Sequence, residues 1–144
     1  MRGCAATDVC QQLALIIAAG PSMNAPVLQV LREMSRGDAL PMRIRGACMA
    51  PLFGDGERIA VRARRFYLPG DVLVFSTRAG DLAAHRMLGW RRAAIVTQGD
   101  HCEVHDPPVP RDAIIGAVDL PVRARDRANA LLQLARIVLR RLAR

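Results

Sequence analysis

Cys48 lies in "RIRGACMAPLFGDG" (residues 43–56), where a short β-type run gives way to Gly, Pro and Asp. Gly46 allows a tight backbone path and close approach of a ligand. Pro51 fixes the chain soon after the thiol, and backbone N–H groups in such a turn suit a developing oxyanion. The plainer role is that of a small buried hydrophobe. A thiol attacks as thiolate, so a nucleophilic Cys48 needs a base or cation beside it. All 21 basic residues are arginine, which excludes a lysine base, a Schiff base and a phosphate-binding lysine. Histidine is then the main candidate base: His85, His101 or His105. His85 sits in "LAAHRML" (82–88), a strand-like run with Arg86 next to it. A carboxylate would fix the imidazole tautomer, and the loop "QGDHCEVHD" (98–106) offers both Asp100 and Asp106.

That loop also places His101, Cys102 and His105 within six residues of acidic side chains, a set that could hold zinc. "DPP" follows at once, so a loop is expected rather than a helix that would bring i and i+4 to one face. The four cysteines, Cys4, Cys10, Cys48 and Cys102, form no CxxC pair. The expectation is no metal and no cofactor, with the thiols reduced.

The elements that must position these groups change texture along the chain. Residues 7–19 read as a helix stopped by Gly20. Residues 25–36 read as a second, with Asn24 as cap, Pro26 in the first turn and Gly37 as stop. From residue 41, six β-type runs alternate with "FGDG", "LPGD", "RAGD", "QGD" and "DPPVP", a pattern of six or seven strands. Asp71, in "LPGD", is expected to cap a turn. The tail is helical. Ala128, Leu131, Leu132, Ala135, Val138, Leu139 and Leu142 gather on one side, and Arg136, Arg140, Arg141 and Arg144 lie largely opposite. Three segments follow: 1–40, an N-terminal helical extension; 41–121, a β catalytic domain; and 122–144, a C-terminal helix.

With 144 residues, half of them hydrophobic, the chain supports one packed domain. The apolar run 13–19 is too short to span a bilayer, which takes about 20 residues in a helix. Asp8, Gln11 and Gln12 interrupt what would be a signal peptide. The net charge of +8 attracts nucleic acid, anionic lipid and acidic peptides alike.

Taken in order, "GACMAP" (46–51), "PGDVLVF" (69–75), "AHRMLGW" (84–90), "TQGDHCEVHD" (97–106) and "IIGAV" (114–118) resemble the five boxes of the signal peptidase I family and its wider clan, which includes the LexA-type self-cleaving peptidases. The resemblance covers residues 43–118, about half the chain. It implies a mainly β, signal-peptidase/LexA-like β-barrel-type core with short N-terminal helices and a C-terminal basic amphipathic helix.

Two departures shape the implied chemistry. Cys48 stands where the family has serine, and His85 where its bacterial branch has lysine. The endoplasmic-reticulum and archaeal branch has histidine there, with an aspartate late in the acidic box. By position the implied centre is Cys48, His85 and Asp106, with Asp100, Gly46, Met49 and Arg86 in support. The backbone N–H of Cys48 is implied as an oxyanion donor. Gly46 cannot add the hydroxyl that some bacterial members place two positions before the nucleophile. The family cuts after small residues in extended peptides, which implies substrate added to a strand edge near 43–48, beside Arg45, Ala47 and Pro51.

The expected function is therefore a peptidase acting on a peptide or leader. The family's membrane anchor has no counterpart before the nucleophile box, so the expected location is cytoplasmic or peripheral to the inner membrane. Residues 127–144 are the segment that could touch a membrane surface. Two alternatives stand beside it: an inactive relative that binds peptides, and a LexA-like DNA-binding regulator. The second helix opens with "APVLQV", without base-reading polar residues, so nucleic acid is not the expected partner.

Overall fold

A computed structural model describes residues 25–143 of the chain. Helix α1 (Ala25–Arg36) is followed by strands β1 (Leu40–Arg43), β2 (Arg58–Arg62), β3 (Val72–Ser76), β4 (Leu82–Arg91), β5 (Ala94–Gln98) and β6 (Val109–Pro110). A 3-10 turn (Arg111–Ala113), strand β7 (Ile114–Val118) and helix α2 (Ala124–Leu142) complete it. The expected helix over 7–19 and the Asn24 cap lie outside the described residues.

The strands form one antiparallel sheet in the order β1-β2-β7-β3-β4-β5-β6, curled into a half-barrel. β3 is central and buried on both faces, which is why "VLVF" shows no polar alternation. Val72 and Val74 join Leu31, Val61 and Ile115 in one cluster, and Leu73 and Phe75 join Met87, Ile95 and Ala117 in another. α1 belongs to the first cluster through Leu31, and Ser35 Oγ donates to the Ile115 carbonyl at 2.8 Å. Two-residue β6 falls within "DPPVP", where proline hides a strand that pairs only Val109 with Ile95 and Pro110 with Ala94.

Helix α2 docks on β4 and β5. Ala130, Leu134 and Ile137 meet Leu88 and Val96. Gly89 supplies the seat, since a Cβ there would lie 2.5 Å from Leu134 Cδ2. Leu131, Leu132, Val138, Leu139 and Leu142 stay exposed. The small Ala130 allows closer approach to the sheet than a leucine would. Arg127, in the first turns of α2, donates to the Pro69 carbonyl at 2.9 Å and stands 3.3 Å from buried Asp71. Asp71 also accepts the Leu68 N–H at 2.9 Å, closing the expected turn.

Candidate active site

β4 is a long strand buried over most of its length, and His85 sits near its middle, opposite Leu73 of β3. The ring is 1% exposed and packs edge-on to Phe75, with centroids 6.0 Å apart. A buried imidazole needs partners, and the loop after β5 provides one. Asp106 Oδ2 accepts His85 Nδ1–H at 2.7 Å. The same oxygen accepts the Thr97 hydroxyl at 2.7 Å, and the Asp106 N–H donates to the Thr97 carbonyl at 2.8 Å. Strand β5 therefore holds the carboxylate by side chain and backbone together. With its hydrogen on Nδ1, the neutral ring leaves Nε2 as its basic nitrogen.

Among the described residues, buried Nε2 makes no hydrogen bond of good geometry. Burial pulls the His85 pKa down. Hydrogen bonding to Asp106 and to Cys48, with the charge of each, outweighs it and raises the pKa from 6.5 to about 9.

Cys48 is a thiol, 5% exposed, on the turn that follows β1. That turn is built locally. Gly46 has φ +85° and its N–H donates to Asp55 Oδ1 at 2.8 Å; Ala50 N–H donates to the Ala47 carbonyl at 3.0 Å. It is tied to the acidic loop through the Cys48 carbonyl, which accepts His101 N–H at 2.9 Å. Gly99 lies where the two meet. A Cβ at that position would stand 2.8 Å from the Cys48 carbonyl oxygen, 2.7 Å from Cys102 Sγ and 3.3 Å from His85 Cδ2. Only glycine lets the end of β5 pass so close.

Of the two candidate carboxylates, Asp106 is the one on His85. Asp100 instead takes a two-pronged contact from Arg86, Nε at 2.7 Å and Nη2 at 2.6 Å, while Arg86 Nη1 donates to the Gly70 carbonyl at 2.8 Å. The hydrogen bonds to Asp100 raise the Arg86 pKa further above its ordinary value. This pair fixes the acidic loop to β4. Arg45, Ala47 and Pro51 lie exposed around the thiol turn. Met49 is 1% exposed and belongs to the core cluster. It packs in the same cluster as Cys48 and supports the turn from the core.

A scan of protein-family models and a search of curated proteins find no match to this chain.

His101 and His105 do not join the centre. His105 Nδ1 lies 2.8 Å from the Asp106 carbonyl oxygen and its Nε2 3.4 Å from Arg141. Cys102 is disulfide-bonded, which corrects the expectation of a thiol there and removes a thiolate ligand from the zinc reading. Among the described residues no three His, Cys, Asp or Glu side chains converge as a metal donor set.

Sequence reasoning missed Thr97 and Gly99. For Thr97 the available signal is a polar group at the end of the apolar run "AAIV". Beyond His85 and Asp106 a cavity of about 120 Å³ opens, walled by Phe75, Ala83, Pro107, Pro108 and Val109. β1 ends the sheet and, among the described strands, pairs only with β2. Its outer edge therefore offers backbone groups to an added strand.

Proposed function

We propose that this chain is a peptidase of the signal-peptidase/LexA type that opens amide bonds with a cysteine nucleophile. The observation that carries the reading is the relay of Thr97, Asp106 and His85, two 2.7 Å hydrogen bonds on one carboxylate oxygen that hold the hydrogen of the ring on Nδ1. A substrate in extended form adds to the β1 edge near 43–48, with small side chains at the cut. Cys48 gives its proton to His85 Nε2, forming a thiolate–imidazolium pair. Sγ attacks the scissile carbonyl, and the Cys48 N–H steadies the oxyanion. His85 then protonates the leaving amine as the C–N bond breaks and a thioester remains. Water, deprotonated by the same nitrogen, hydrolyses the thioester and restores the thiol. Asp106 keeps Nδ1 protonated and stabilises the imidazolium throughout.

The low exposure of Cys48 favours one other reading, a relative that holds peptides at the same edge without cutting them. Peptide libraries with small residues at the cut separate the two. Under the peptidase reading wild type cleaves, Cys48→Ala and His85→Ala do not, Cys48→Ser is strongly impaired, and iodoacetamide modifies Cys48 as activity is lost. An acyl-enzyme trapped at Cys48 by mass spectrometry completes the case. Equal behaviour of wild type and Cys48→Ala would remove it.

A further inference from the structure

Helix α2 carries two apolar faces, and the domain uses only one. At about 3.6 residues per turn, Ala130, Leu134 and Ile137 form the docked stripe, packed on Leu88 and Val96. The next sector of the helix holds Leu131, Leu132, Ala135, Val138, Leu139 and Leu142. Leu139 is 63% and Leu142 78% exposed. Beyond it come Arg125, Arg136 and Arg140, all exposed, with Arg125 3.9 Å from Asp126 and Arg140 at the border of the acidic loop. The helix has five arginines against one acid, Asp126. Arg127 and Arg141 are turned inward, to Pro69 and Asp71 and to His105, which leaves the other three beside the leucines.

An exposed leucine row bordered by arginines fits one environment well, the boundary between anionic headgroups and acyl chains, where leucine enters the apolar layer and arginine snorkels to phosphate. A second copy of the chain fits poorly. Joining two such faces would bring two arginine borders together with only Asp126 from each copy to offset them. We infer that this face of α2 docks the protein on an anionic membrane. The inference does not depend on the peptidase reading. It has a consequence for it, because the C-terminal half of α2 borders the acidic loop through Ile137, Arg140 and Arg141 against Glu103, Val104 and His105. A docked helix would hold the loop that carries Asp106 close to the lipid surface.

Flotation of the full chain with phosphatidylcholine vesicles, and with vesicles containing phosphatidylglycerol, tests this. Binding is expected to the second kind only. Leu131→Gln with Leu139→Gln, and separately Arg136→Gln with Arg140→Gln, should each weaken it by roughly tenfold or more. All four side chains face solvent, so both double variants should melt like wild type. Three results overturn the inference. One is a full chain that ignores both kinds of vesicle. Another is a leucine variant that binds like wild type, which would mean adsorption by charge alone, as to any polyanion. The third is a dimer in light scattering that the leucine variant dissociates, which would give the face to a second copy.

Discussion

His85 and Thr97 stand on adjacent strands and place their donors on one atom, each 2.7 Å from Asp106 Oδ2. Two donors on one oxygen fix the carboxylate in place and in rotation. Thr97 also holds the Asp106 backbone, so β5 sets the loop and the loop sets the ring. A single strand pair therefore decides which nitrogen of His85 is basic.

Asp106→Asn should preserve the fold and disable the ring. An amide nitrogen facing Nδ1 would favour the other tautomer and leave Nε2 protonated in the neutral ring. Peptide cleavage should fall by about 10³-fold or more, measured as kcat/KM. The His85 titration midpoint should also drop below about 9, since the hydrogen bond and the charge of Asp106 both raise it; ring proton shifts in NMR report this directly.

Thr97→Val keeps the shape of a buried strand residue and removes one donor to Asp106. The cost should be about 1–2 kcal/mol in a denaturant titration. Because Thr97 acts through the carboxylate, kcat should fall while KM holds, and Thr97→Ser should restore most of it. An unchanged kcat would reduce Thr97 to a packing residue.

The elevated His85 pKa also sets a pH window. The folded protein binds this proton more tightly than the unfolded chain does. Its stabilisation is complete below the unfolded value, 6.5, and is lost as pH rises through about 9. Denaturation midpoints should therefore decline on the alkaline side. If the thiolate–imidazolium pair is the reactive form, cleavage should show its alkaline limb near 9 as well. Asp106→Asn should shift both toward lower pH.

Gly99→Ala should be among the most damaging small substitutions in the chain. The added methyl meets the Cys48 carbonyl and Cys102 Sγ, with the His85 ring just beyond. A backbone carbonyl cannot rotate away, so the thiol turn must move. The expected loss is about 1–3 kcal/mol of stability, with cleavage falling far more than stability alone accounts for. Thermal melts and rates on the same samples separate the two effects.

Much of this was legible in the sequence because it rests on local rules. Gly and Pro punctuation marked six of the seven strands, and α1 occupies the expected Ala25–Arg36. Residue type made Cys48 a candidate nucleophile, and the lack of lysine left histidine as the main candidate for its base. Tertiary structure decided what local rules leave open. The residues alone left Asp100 and Asp106 equally available, six positions apart in one loop; packing gave Asp100 to Arg86 and Asp106 to His85. Helical periodicity located an apolar sector on α2 but could not say which sector the sheet would take. The choice fell to small Ala130 and the gap at Gly89, a matter of how closely two surfaces approach. Thr97 and Gly99 were hidden for the same reason. Thr97 matters through how the acidic loop folds back to set Asp106 on it, and Gly99 through the Cys48 turn and His85, which only tertiary packing brings to it.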